Sequence, residues 1–174
     1  MRLLLISYCV SLIEVILVII LSRLDYGNAL LLGSNVPTIN RLQKCQNWAA
    51  KLIFCAAKQD HATLFLKKLH WLPVKERIYF KILLYVYKCL NGLAPDYLSC
   101  CLSPYYQSRP GLRSALDTTR LAQPNFSSKS LWSAANKAFS LAAPGLWNQI
   151  PIAIRSSNSL YTFKKALKSH LYPQ

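Results

Sequence analysis

Apolar side chains recur at helical spacing through most of the first hundred residues, and this pattern predicts the elements. From about Thr38 to Lys58, Ile39, Leu42, Ala49, Leu52 and Ile53 fall on one side of a helix turning about 100° per residue. Arg41, Lys44, Lys51 and Lys58 fall nearly opposite, so the two faces read as separate. A shorter helix is expected over HATLFLKKL, with Asp60 as its N-cap, because a carboxylate there accepts from an early backbone N–H. The stretch LHWLPVKERIYFKI, 69–82, then interrupts the pattern and restarts it. Pro73 cannot continue the preceding helix, and it disfavours helical geometry at Leu72. It suits the first turn of the next helix, where a missing N–H costs nothing. His70-Trp71-Leu72 is therefore expected to form a tight apolar corner, with Trp71 packed in the core. The helix that follows, about Val74 to Leu90, is apolar around most of its circumference, with Gly92 just past its end. Arg77, Lys81 and Lys88 line up along its one basic stripe.

The texture changes at Ala94. Pro95, Pro104, Pro110, Pro124, Pro144 and Pro151 punctuate the rest of the chain. Helices here are expected to be short: Pro95 to Cys101, Leu131 to Ala142, and Pro144 to Gln149. The stretch 105–130 reads as a surface wrap with at most one short strand, anchored by Trp132, Phe139 and Trp147. A last helix is expected from Ser159 to Leu171, with Leu160, Phe163, Leu167 and Leu171 inside and Lys164, Lys165 and Lys168 outside. The fold class that follows is mainly α, a small helical bundle with an irregular, Pro-rich C-terminal half. Its parts are a hydrophobic helix at 1–22, a bundle core at 23–103, an irregular segment at 104–158 and an amphipathic helix at 159–174.

The first 22 residues, MRLLLISYCVSLIEVILVIILS, are nearly continuous Leu, Ile and Val. Their length approaches the roughly 20 residues that span a bilayer, which makes residues 3–22 a candidate anchor. Glu14 in mid-span argues against that, since a carboxylate there costs about 2.5–3.5 kcal/mol on insertion scales. The other reading is a helix buried in a larger core.

Charge narrows the partners. Twenty-one Lys and Arg stand against six Asp and Glu, a net +15. So large an excess points to something anionic beside it, nucleic acid first and an acidic membrane surface second, the other reading being a soluble basic protein with no dedicated polyanion partner. Six carboxylates, none within five positions of another, leave no local pair for acid–base or two-metal chemistry. No phosphate loop, GxGxxG, HExxH or GxSxG motif is present, so no catalytic residues are expected. His61 and His70 lack a matching Cys pair, and no metal or other cofactor is expected. The six cysteines form no CxxC framework, and the expectation is buried, reduced thiols in an intracellular protein.

Three runs then follow one another in order: LSRLDYGNALLLG, RLQKCQNWAAKLI, and DHATLFLKKLHWLPVKERIYFKILLYVYKCLNGLAPDYL. With RPGLRS, KAFSLAAPGLWNQIPIAIR and SLYTFKKALKSHL, this text resembles the C-terminal part of the polyprotein of non-LTR retrotransposons, the jockey-like long interspersed elements. The resemblance covers about Leu21 to Leu171. It implies a thumb-like and tail region lying downstream of the reverse transcriptase palm, whose Tyr/Phe-Ala-Asp-Asp metal site has no counterpart here because the chain has no Asp-Asp pair. Residues 1–20 depart from the family text but sit where a helix normally leads into SRLDY, which favours a thumb helix over an anchor. Gly27 stands where the family commonly has Cys.

The function expected is a non-catalytic reverse transcriptase fragment that binds RNA or an RNA–DNA duplex through Arg41, Lys44, Lys51, Lys58, Arg77, Lys81, Lys88, Lys164, Lys165 and Lys168. The remainder of such a polymerase is a second expected partner, and the nucleus or cytoplasm the expected location. The alternatives are a small membrane-anchored basic protein and a decayed element copy with no selected role.

Overall fold

A computed structural model describes residues 17–105, 119–123 and 138–172. The described residues are mainly α-helical, and their only β-pairing is an isolated antiparallel bridge between Pro104 and Leu121. A π-helical turn, Leu17–Leu21, runs into the short helix α1 (Ser22–Asp25). Next come α2 (Val36–Ile53), α3 (Ala62–Lys68), α4 (Val74–Leu90) and α5 (Asp96–Ser99), then α6 (Phe139–Gln149), α7 (Ile152–Arg155) and α8 (Leu160–Leu171). The chain divides into two compact units, Met1–Arg77 and Ile78–Gln174.

In the first unit, α2 starts two residues before the expected Thr38 and stops five short of Lys58. Its start is set by Asn35, whose side-chain oxygen accepts from the Thr38 N–H at 3.2 Å, with Pro37 in the first turn. Its stop is a Schellman closure. Cys55 takes a left-handed φ of 48°, Ala56 N–H donates to Lys51 O at 3.0 Å, and Cys55 N–H donates to Leu52 O at 3.2 Å. The same closure ends α3, with His70 at φ 52°, and α4, with Gly92 at φ 67° as expected. Asp60 does not cap α3. Its carboxylate accepts from Ala57 N–H at 2.8 Å and so closes the turn before the helix, while His61 holds the cap position without a side-chain bond.

The core of this unit joins Leu21, Ala49, Ala50, Leu66 and Trp71, with Ile20, Leu24, Ile53, Phe65 and Leu69 packed around them. The corner at Trp71-Leu72 is buried as expected, and Pro73 sits one residue before α4, its carbonyl accepting from Arg77 N–H. Two glutamines of α2 hold that corner. Gln46, fully buried, donates to Leu72 O at 2.9 Å, and Gln43 accepts from Val74 N–H at 2.8 Å. Gln43 thereby satisfies one of the orphan donors at the start of α4.

In the second unit, α4 contributes Ile82, Leu83, Val86 and Tyr87 to a core completed by Trp147, Ile150, Phe163 and Leu167. Phe163 stacks on Tyr87 with ring centroids 4.3 Å apart and lies 5.9 Å from Trp147. Tyr87 Oη donates to Ser157 O at 2.8 Å. Helix α6 begins at Phe139 rather than at Pro144, which is buried inside it. The proline removes one N–H from the ladder, and the burial of Ala143, Pro144 and Trp147 offsets that loss. Residues 124–137, which hold most of the expected Leu131–Ala142 helix and Trp132, lie outside the described residues, as do 106–118 within the expected wrap. What is described of the wrap is anchored by α6. Trp147 Nε1 donates to Thr119 O at 2.7 Å, and Asn148 both accepts from Leu121 N–H and donates to Leu121 O.

Helix α8 matches the expected inner and outer faces. Phe163 and Leu167 are fully buried, and Leu160 and Leu171 are half-buried. Ser159 and Thr162 cap it reciprocally, each side-chain oxygen accepting from the other's backbone N–H. Ser159→Ala is expected to cost about 1 kcal/mol, read as a lower urea midpoint at unchanged slope.

Candidate nucleic-acid interface

The buried side of α2 is Gln46, Ala49 and Ala50, with Ile39, Leu42 and Ile53 half-buried beside them. Leu52 is not among them. It is 56% exposed, and Trp48, one turn back, is 68% exposed. The expected separation of an apolar face from a basic one therefore fails on the outer side. At about 100° per residue Trp48 falls between Lys44 and Arg41, nearly opposite the core. Lys44 is four residues before it and Lys51 three after, both helical neighbours. The sequence reading missed Trp48; its position four residues from a lysine on the basic stripe was the available signal.

Arg41 and Lys44 are exposed. Lys51 is half-buried, its ammonium donating to Lys58 O at 2.7 Å. Lys58 is exposed but lies beyond the Schellman stop, so it does not extend the α2 stripe. On neighbouring α3, Lys68 sits 5.7 Å from the centre of the Phe54 ring, a cation–π contact that also had no place in the sequence reading. An open apolar groove of about 550 Å³ runs beside α2, lined among the described residues by Ile20, Lys44, Cys45, Trp48, Ala49 and Leu52.

The α4 stripe does not survive as expected. Arg77 forms a two-pronged ion pair with Asp25, Nε at 2.9 Å from Oδ1 and Nη2 on Oδ2, and its side chain is only 18% exposed. Asn28 Nδ2 also donates to Asp25 Oδ1. A guanidinium paired in this way is committed to holding α1 against the start of α4, and its charge is balanced. Lys81 and Lys88 are half-buried, Lys81 leaning 5.9 Å from the Tyr85 ring centre. In the second unit Lys164, Lys165 and Lys168 are all exposed on α8, with no carboxylate anywhere in that helix.

Four of the five described cysteines, Cys45, Cys55, Cys100 and Cys101, are exposed free thiols, which corrects the expectation of buried ones. Only Cys89 is buried among these five. Burial pushes its thiol above the ordinary range, partly offset by a hydrogen bond with Ser99. Among the described residues no group of His, Cys, Asp and Glu is placed to hold a metal ion. No described helix is long and apolar enough to cross a membrane; residues 1–16, most of the candidate anchor, lie outside the described residues.

The chain matches no protein-family model, no curated protein and no solved structure.

Proposed function

We propose that this chain is a non-catalytic part of a non-LTR retrotransposon reverse transcriptase, from the region after the palm, and that it binds RNA or an RNA–DNA duplex through phosphate contacts. The observation that carries the binding is the make-up of two outward helix faces. Helix α2 carries Arg41, Lys44 and Lys51, helix α8 carries Lys164, Lys165 and Lys168, and neither helix contains a carboxylate. Cations on helices that carry no carboxylate of their own meet a phosphate backbone at little ordering cost. Such contacts position the polyanion and read little sequence. The retrotransposon origin rests on the ordered runs from LSRLDYGNALLLG to SLYTFKKALKSHL.

The test is a gel-shift measurement at about 50 mM salt, in the range where phosphate contacts dominate affinity, with RNA and an RNA–DNA duplex of one sequence. Binding to both is expected. A triple variant, Lys164→Gln, Lys165→Gln and Lys168→Gln, is expected to bind both more weakly and, in a titration from about 50 to about 200 mM salt, to reduce the slope on the duplex by about 2.7. Absence of binding by the unaltered protein at that salt ends the proposal.

A further inference from the structure

We infer that α2 takes single-stranded nucleic acid by stacking one base on Trp48, with Lys44 and Arg41, about one and two turns before it, meeting phosphates along the strand. This rests on the polyanion binding proposed above and names the form of the ligand at the α2 face.

The starting observation is an indole in the wrong place for a helix that needs only packing. Trp48 is 68% exposed in the middle of an 18-residue helix, on the side away from the Gln46, Ala49 and Ala50 face. An indole is the largest apolar surface a side chain offers, and one left this open gains substantially by being covered. The groove beside it is lined with apolar groups, Cys45, Ala49, Leu52 and Ile20, with the Lys44 side chain also on its wall. An apolar slot with an ammonium alongside suits a planar ring that carries an anion on its tether. A nucleotide has that form: a base with a π-face, joined to a phosphate.

Charge selects among occupants. A second copy of this chain, packed isologously, would set Arg41 and Lys44 of one protomer against the same residues of the other, in molecules that each carry +15. A polyanion brings the opposite sign. Strandedness follows from geometry. Bases within a duplex stack on each other and turn only their edges outward, so an indole projecting from a helix cannot lie on them. Bases of a single strand leave their faces open to aromatic side chains. The α8 face, where Lys164, Lys165 and Lys168 stand beside the exposed ring of Tyr161, enters this inference only through its phosphate contacts.

Fluorescence anisotropy with a short labelled RNA strand, and with the same strand annealed to its complement, tests this at one low salt concentration. Trp48→Ala is expected to weaken single-strand binding about tenfold and to leave duplex binding unchanged, while Trp48→Phe keeps most of the single-strand affinity. Because Trp48 lies outside the core, both variants are expected to keep the far-UV circular dichroism of the unaltered protein. Single-strand affinity unchanged in Trp48→Ala overturns the inference, as does an equal loss on both ligands. So does sedimentation showing a dimer that Trp48→Ala dissolves, since the groove would then be filled by a second copy. Failure of the unaltered protein to bind either ligand would instead sink the parent proposal, so the two failures are told apart.

Discussion

Phe163→Ala is expected to destabilise the Ile78–Gln174 unit by about 3–5 kcal/mol, the range for removing a fully buried aromatic ring. Phe163 has no exposed surface, and it is held by ring contacts with Tyr87 at 4.3 Å and Trp147 at 5.9 Å. Three losses coincide on truncation. The ring's transfer out of water is forfeited, a cavity opens that a close-packed interior cannot fully collapse, and two aromatic pairings worth about 0.5–1.5 kcal/mol each disappear. Urea unfolding followed by tryptophan fluorescence measures the effect, since Trp147 lies at the site. Tyr161, two residues earlier and 75% exposed, is the internal control, and its replacement by Ala is expected to change stability by no more than about 0.5 kcal/mol. A loss below about 1 kcal/mol for Phe163→Ala would mean that α8 does not pack on α4 as described.

Salt is the other large lever. Of the ten cations picked out in the sequence, six stand on the two carboxylate-free faces, three on α2 and three on α8. Arg77 is withdrawn by Asp25, Lys58 lies off the helix, and Lys81 and Lys88 stand on α4, which also carries Glu76. If all six meet phosphates of a duplex, log K falls against log salt with a slope near −5. Raising salt from about 50 to about 200 mM then weakens binding about a thousandfold. If only one helix takes part, its three cations give a slope near −2.7. A titration therefore reports how many of these side chains act, and a flat dependence would remove charge as the basis of binding.

The helices were legible where periodicity and local chemistry agree. Val74–Leu90 was read to the residue because Pro73 precedes it and Gly92 follows it, and both signals act on the backbone within a turn. The inner face of α8 was equally plain, since Phe163 and Leu167 stand one turn apart. The end of α2 was not, because its left-handed residue is Cys55, a type with no preference for that conformation. Asp60 misled for a related reason. An aspartate closes a turn as readily as it caps a helix, and only the position of Ala57 decides which.

The candidate interface was less legible than the fold. Periodicity places Arg77 on a stripe but cannot reveal that Asp25, 52 positions away, will neutralise it. Nor could it show the role of Gln43 and Gln46, polar residues that serve the backbone of the Trp71-Leu72 corner rather than the solvent. Trp48 was overlooked because a tryptophan is ordinarily part of a core, although its place between Lys44 and Arg41 on the helix already set it on the side left open to solvent, where it is 68% exposed.

The Schellman closures carry a kinetic consequence. Each helix stop in α2, α3 and α4 is made by backbone bonds between residues at most five apart, so these boundaries can form without waiting for distant chain. The bond from Tyr87 to Ser157 instead spans 70 positions, and a loop of about that length must close before Phe163 can stack on Tyr87. Refolding should therefore show helical signal arriving ahead of the burial of Trp147, with assembly around α8 as the slow event.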